Sequence, residues 1–191
     1  MIELHMTKIS IIKIEESTTV DGPGLRTSIY CAGCVNKCPG CHNPQSWDIN
    51  NGTMTDVEDI FATIVDDDEF CNVTFTGGDP MYQAKSFAEL AKLIKTQTNK
   101  TLWCYSGYTF EEIMADADKR ELLQWLDVLV DGRFVQSLRD ESLIFKGSSN
   151  QRIIDVQKSL NEGRIVLFKY NPFPDFEYVK PVIEHYAFAN N

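Results

Sequence analysis

Leu25-Arg26-Thr27-Ser28-Ile29-Tyr30-Cys31-Ala32-Gly33-Cys34-Val35-Asn36-Lys37-Cys38-Pro39-Gly40-Cys41 is the stretch on which the fold turns. The run Leu25 to Tyr30 has strand length, and a cysteine-bearing loop follows it directly. Cys34, Cys38 and Cys41 stand in C-x3-C-x2-C spacing. Three thiolates on so short a loop can hold one face of an iron–sulfur cube, which ordinarily takes four cysteines. The iron left without a protein ligand is an open position of the kind that catalytic metal sites keep.

Cys31 allows a second description, because C-A-G-C and C-P-G-C are also two C-x2-C pairs. Zinc ribbons separate their pairs by roughly 15–20 residues, and here the pairs are nearly adjacent. A ferredoxin run is ordered x2, x2, x3 before a proline; the order here is x2, x3, x2, and Cys71 and Cys104 stand alone. Local spacing favours the open cluster and leaves the zinc and ferredoxin readings standing.

Working outward, strands and helices alternate. Ile9 to Ile14 reads as a strand before the cysteine strand. Thr55-Asp56-Val57-Glu58 has the form of a capping box, opening a helix with Val57, Ile60, Phe61, Ile64 and Val65 on one face. A strand at Asn72 to Thr76 precedes a helix whose apolar face is Phe87, Leu90, Ala91 and Ile94. Thr101 to Tyr105 is the next strand. Thr109 and Glu112 form a second capping box, for a helical region reaching about Trp125. Further strands are expected at Asp127 to Asp131, Arg152 to Val156 and Arg164 to Lys169. Such alternation predicts an α/β fold with a mainly parallel sheet. The units are too few for a closed eight-fold barrel, which leaves a partial barrel or an open sheet. Residues 1–170 are expected to form one domain, with 171–191 an extension packed on it.

The 191 residues are 43% hydrophobic and 24% charged, ordinary for a globular chain. A formal net charge of -10 argues against a general nucleic-acid or anionic-membrane binder. No apolar run reaches membrane-spanning length and no leader pattern is evident, so a cytoplasmic protein is expected. Six cysteines, four of them in the loop, fit metal binding in a reducing compartment better than a disulfide framework.

Parallel α/β folds place sites at the C-terminal ends of strands. Four unusual clusters fall there: the cysteine loop, Gly77-Gly78-Asp79-Pro80, Ser106-Gly107-Tyr108 and Gly132-Arg133-Phe134. Paired glycines let a backbone approach a ligand closely, and Asp79 or strand-end carbonyls can accept from an ammonium group; a plain strand-to-helix turn started by Pro80 is the simpler reading. Arg26, after the turn Asp21-Gly22-Pro23-Gly24, suits an anion or a backbone partner. His42 adjoins the loop and suits cofactor contact, Trp47 suits packing, and Cys71 and Cys104 suit buried thiols. The acidic run Asp66 to Glu69 reads as a solvated helix end, and Asp79, Asp131 and Asp140 are better-placed acids.

The strings V-D-G-P-G-L-R-T, G-C-V-N-K-C-P-G-C-H-N-P-Q-S-W, T-G-G-D-P, L-V-D-G-R-F and K-G-S-S-N-Q-R-I occur in order from about Thr19 to about Asp155. This set resembles the radical S-adenosylmethionine glycyl-radical activases, and among them those serving anaerobic ribonucleoside-triphosphate reductases. The resemblance implies an incomplete (βα) barrel. It implies a 4Fe–4S cluster on Cys34, Cys38 and Cys41 whose electron splits S-adenosylmethionine, and a 5′-deoxyadenosyl radical that takes hydrogen from a glycine Cα of the reductase. It implies that Gly40, Cys41 and His42 line the cofactor, that Gly77, Gly78 and Asp79 hold its amino group, and that no further side chain is catalytic. A low-potential donor such as a flavodoxin would supply the electron. Cys31 stands where these proteins commonly carry an ordinary residue, and Gly40 where many radical S-adenosylmethionine enzymes carry an aromatic. The segment after about Val156 exceeds the shorter members and could complete the sheet, cover an edge or shape docking. Competing functions are activation of another glycyl-radical enzyme of the pyruvate formate-lyase type, small-molecule radical chemistry, and a non-enzymatic iron–sulfur or zinc module.

Overall fold

The computed structural model describes residues 7–68 and 70–170. The extension expected at 171–191 lies outside the described residues. Seven strands form one sheet: β1 (Lys8–Thr18), β2 (Arg26–Cys31), β3 (Thr53–Asp56), β4 (Asn72–Gly77), β5 (Leu102–Tyr105), β6 (Val128–Asp131) and β7 (Arg152–Asp155). Their spatial order is β3-β1-β2-β4-β5-β6-β7. The pairings β2–β4, β4–β5 and β5–β6 are parallel. Those of β3 with β1, β1 with β2 and β6 with β7 are antiparallel. The sheet is therefore mixed, with its parallel character confined to the middle, and it is open at β3 and β7.

Helices α1 (Val57–Asp66), α2 (Ala84–Gln97), α3 (Phe110–Ala115) and α4 (Ala117–Leu123) connect the parallel strands, and α5 (Val156–Glu162) follows β7. Successive strand residues face opposite sides of a sheet. Ile29, Phe75, Cys104, Leu129 and Ile154 face the helices, where they meet Ile60, Ile64, Phe87, Leu90, Ile94, Leu122 and Leu123 in one core. Phe75 and Phe87 pack with ring centroids 4.7 Å apart, a separation favourable for aromatic pairs. On the opposite face Trp103, Val128 and Val130 gather Phe145, Ile153 and Phe168. Arg26 lies across Trp103, 5.4 Å from the ring centroid.

The expected helix faces form, except that Phe61 is half-buried and Val65 exposed. The capping box expected at Thr55 does not. Thr55 is committed to β3, where it pairs with Ile9, and Asp56 takes the N-cap position without a side-chain cap bond. The box at Thr109 and Glu112 is present in both directions. The helix it opens ends early because the Asp116 carboxylate accepts from Asp118 N and Lys119 N and so caps a new helix, α4. This is the local competition with helical bonding that short acidic side chains offer. Arg164 to Lys169 forms a bridge at Leu167 with Ile154 instead of a full strand. Asp155 N–H donates to Val166 and Phe168 N–H to Ile153, so this segment covers the outer edge of β7.

Candidate functional site

The four strand-end clusters come together. One cavity of about 650 Å³ is walled by Cys34, Cys38, Cys41 and His42 from the loop after β2, Gly77 and Gly78 after β4, Ser106 and Gly107 after β5, and Gly132 and Phe134 after β6. Its volume is in the range of small-molecule and cofactor sites. Tyr30, Thr76 and Tyr105 rise into it from the face of the sheet away from the core.

The cysteine loop is sewn down at its base. Gly33 N–H donates to Ser46 O, Cys34 N–H to Trp47 O, Gly78 N–H to Cys31 O and Asp79 N–H to Gly33 O. Gly77 has φ +99, and a Cβ there would stand 2.6 Å from Cys31 N; one on Gly78 would stand 2.6 Å from Gly33 O. The paired glycines thus let β4 lie against the start of the cysteine loop, in addition to lining the cavity. The Trp47 ring is half-buried beside this base, as a packing role requires.

Cys31 parts company with the other loop cysteines. It is fully buried in the core, pairs from the end of β2 with Ile11 and Gly77, and does not line the cavity. Burial pushes its thiol well above the ordinary value. A four-cysteine zinc site using Cys31 has no geometric support, because that side chain is on the other face of the sheet. Among the described residues no three His, Cys, Asp or Glu side chains are grouped so as to hold one metal ion. A single ion needs its sulfur donors about 2.3 Å from one point, whereas a cluster takes each cysteine on a different iron. Three thiols spread along a cavity wall fit the second demand. Asn43 N–H donates to the Cys41 sulfur at 3.4 Å. Burial raises the Cys34 thiol while hydrogen bonds from the Asn36 and Lys37 backbone and the Asn36 side chain oppose it. Burial raises Cys38 as well, opposed by the Phe134 backbone. Such N–H contacts to sulfur tune a bound cluster.

His42 lines the cavity with its ring edge-on to Phe134, centroids 6.4 Å apart. Gly40 does not line it; it sits against the Gln136 side chain. Asp79 does not line it either. Its carboxylate is 1% exposed and accepts from Ser106 Oγ at 2.9 Å, Gly107 N at 3.0 Å, Met81 N at 3.1 Å and Asn36 Nδ2 at 3.2 Å. Burial lifts it to about 6, with the Gly107, Ser106 and Met81 bonds opposing. These donors occupy the carboxylate and tie three loops together.

Arg26 is 1% exposed and donates to Thr74 Oγ1 and Val73 O. It is a structural clamp within the sheet, and burial lowers it to about 10. Asp131 pairs with Arg152 and accepts from Phe110 N, and Asp140 is exposed and accepts from Ser142. Both are thus used away from the cavity. The strings D-G-R-F and G-S-S-N-Q-R interlock: Gln151 Nε2 donates to Gly132 O, Asn150 Nδ2 to Arg133 O, and Arg152 grips Asp131. Sequence reasoning missed Asn36, Gln151 and the Tyr30–Asp21 hydrogen bond of 2.5 Å on the cavity wall. Tyr30 was recoverable, since it alternates with the core-facing Ile29 and Cys31.

A family model described as a 4Fe-4S single cluster domain matches residues 20–154, which span all four loops. The anaerobic ribonucleoside-triphosphate reductase-activating protein of Escherichia coli (strain K12) is 35% identical over 139 residues, 69% of this chain and 89% of that protein. The protein of the same name from Pasteurella multocida (strain Pm70) is 37% identical over 143 residues, 70% of this chain and 89% of its own length. This chain belongs to the anaerobic ribonucleoside-triphosphate reductase-activating protein family. Enterobacteria phage T4 carries another member, 34% identical over 140 residues, covering 70% of this chain and 86% of the phage protein. The matched family model supports an iron–sulfur cofactor for this chain. Among the described residues no helix is long and apolar enough to cross a membrane.

Proposed function

We propose that this protein activates an anaerobic ribonucleoside-triphosphate reductase by installing a glycyl radical on it, using a radical S-adenosylmethionine site in an incomplete (βα) barrel. The observation that carries the reading is the single cavity in which three loop thiols face the ends of three parallel strands. In this reading Cys34, Cys38 and Cys41 hold the 4Fe–4S cluster, and Gly77, Gly78 and His42 border the space left for S-adenosylmethionine. When bound, the two groups supply one-electron cleavage of a sulfonium and the hydrogen abstraction that leaves a radical on glycine. The chain's own work is placement and shielding. The sewn loop base sets where the thiols point, and Phe134 with His42 walls one side against water. Tyr30, tied to Asp21 and partly buried, has its proton held firmly by burial and by that carboxylate, which makes it a poor competing acid. The side of the cavity lined by Gly132 and Gln151 is where a glycine-bearing loop of the reductase would enter. A low-potential one-electron donor protein completes the system.

The test is anaerobic reconstitution with iron and sulfide, reduction, and addition of S-adenosylmethionine with the cognate reductase. Formation of 5′-deoxyadenosine together with a glycyl-radical resonance on the reductase is expected. A reconstituted cluster that binds no S-adenosylmethionine would overturn the reading in favour of an electron carrier.

A further inference from the structure

The cysteine loop has a second side. Behind it, apart from the cofactor cavity, a recess of about 480 Å³ is walled by Cys34, Val35 and Lys37 of the loop and by Trp47, Ile49 and Tyr82 opposite. Cys34 borders both spaces, whereas Cys38 and Cys41 border the cavity alone, so the loop is a thin partition between them. Gly132 and Gln151, on the side by which the reductase loop would enter, do not border the recess. The recess reaches the surface with an apolar centre: Val35 is 53% exposed and Tyr82 45%. The Tyr82 ring is seated on the base of the loop because Gly33 has φ +91 and no side chain; a Cβ there would stand 2.5 Å from Tyr82 Cδ1. Lys37 is exposed on the recess, and Arg133 is exposed on the loop after β6. Burial raises the Cys38 thiol, and the nearby Arg133 charge is among the influences that oppose it. Neither cation has a carboxylate partner among the described residues, in a chain whose net charge is -10. The carboxylate of the recess, Asp48, accepts from Asn50 N and Nδ2. Beyond Tyr82, Asp116 and Asp118 are paired with Lys119 and Lys85.

We infer that this recess is the docking surface for the protein that supplies the electron, a small acidic one-electron carrier that presents its redox group within a ring of carboxylates. This rests on the reading above of a cluster held by Cys34, Cys38 and Cys41, and not on which cofactor fills the cavity. Electron tunnelling falls off exponentially with distance, so the redox group of the carrier must come close to the cluster. The back of the loop is an approach that leaves both the cavity and the entry of the reductase free. The carrier loses one electron and the oxidised cluster gains it; no bond forms or breaks. Val35 and Tyr82 supply the apolar centre of the contact, and Lys37 and Arg133 supply the charge that steers a partner of opposite sign. A patch of this size suits a transient electron-transfer encounter, which buries less area than a stable complex.

The test uses the full chain with its reconstituted cluster, without oxygen, and a flavodoxin as the probe. Titration calorimetry with oxidised flavodoxin gives the Kd. Stopped-flow bleaching of the cluster absorbance by reduced flavodoxin gives the rate of electron transfer. Photoreduced 5-deazaflavin serves as the small reductant, and iron content is measured for every variant. For the native protein, affinity and rate are both expected to fall as salt is raised. Lys37→Asn combined with Arg133→Gln is expected to weaken binding and slow reduction by flavodoxin about tenfold at low salt, and to flatten the salt dependence. Asparagine suits position 37 because it tolerates the φ of +43 found there. Tyr82→Glu, which leaves the loop sequence intact, is expected to act in the same direction by setting a like charge against the carrier. Val65→Glu, exposed on α1, is expected to change neither quantity. All variants should keep native iron content and the native rate with deazaflavin. Docking at the recess is overturned if flavodoxin binds and reduces the recess variants as it does the native protein, if Val65→Glu slows it as much, or if deazaflavin is slowed equally. It is also overturned if saturating reductase displaces flavodoxin, which would give the recess to the reductase, or if flavodoxin fails to bind native protein whose cluster deazaflavin bleaches. A chain that assembles no cluster would instead remove the iron–sulfur reading on which the inference stands.

Discussion

At the scale of single residues, the four loop cysteines divide by the face of the sheet they occupy. Cys31 ends β2 and points into the core, whereas Cys34, Cys38 and Cys41 line the cavity. Replacing each in turn by alanine should therefore separate them. Cys31→Ala is expected to keep full iron content after reconstitution and to lose about 1 kcal/mol of stability from the small void. Cys34→Ala, Cys38→Ala and Cys41→Ala are each expected to lose most of the iron and the visible absorbance of the cluster. Iron retained by all three would exclude them as ligands. Gly77 carries a second expectation. Its φ of +99 and the 2.6 Å approach to Cys31 N leave no room for a methyl group. Gly77→Ala should cost about 2 kcal/mol, since positive φ and a backbone clash combine, and should lower iron incorporation by shifting the cysteine loop. Urea unfolding and an iron assay on the same preparation measure both effects.

At the scale of elements, the last strands are locked by one ionic knot. Arg152 of β7 reaches both the buried Asp131 of β6 and the exposed Glu111 of α3. Arg152→Ala leaves the buried Asp131 side chain with only the Phe110 N–H, and is expected to cost about 3 kcal/mol in urea unfolding, as for other broken buried pairs. Adding Asp131→Asn to that variant should recover part of the loss. The Glu111 arm makes a pH-dependent contribution. Its hydrogen bond to Arg152 holds the carboxyl at about 2, against 4.5 when unfolded. The stability it confers is present above about 4.5 and is lost as pH falls toward about 2. Because Glu111 is exposed, that contribution should stay below about 1 kcal/mol. Urea midpoints of the native protein and Glu111→Gln should differ most near neutrality and converge near pH 2; a gap that widens in acid would contradict the assignment. These elements also mark where pattern reading succeeded and failed. The Thr109 box was legible because both partners lie within one turn. The Thr55 box was misread because β1 competes for the same backbone, and β3 went unnoticed because its four residues carry no apolar alternation.

At the scale of the whole molecule, the parallel centre of the sheet is shielded by helices on one face and by the Trp103 aromatic group or the cavity loops on the other. The edge strand β3 lacks this, its residues being exposed or half-buried. Native-state hydrogen exchange is therefore expected to be slowest for the amides of β2, β4 and β5 and fastest, among strands, for β3; comparable protection throughout would show that the edges open only with global unfolding. By itself the sequence determined that strands and helices alternate, that sites would gather at the strand ends, and that Cys34, Cys38 and Cys41 share a loop suited to an iron–sulfur cluster, because periodicity and short-range spacing are local properties of the chain. It determined the family as well, through strings that persist in order along most of the length. Only the tertiary structure decided that Cys31 faces the core, that Asp79 is walled in by four donors, that Arg26 is a clamp within the sheet, and that Asn36 is one of the donors to Asp79. Each of these depends on which residues distant in sequence lie opposite: Asn36 meets Asp79 and Gly107, and Arg26 meets Thr74. Such encounters are set by strand order and register, and no local pattern encodes them.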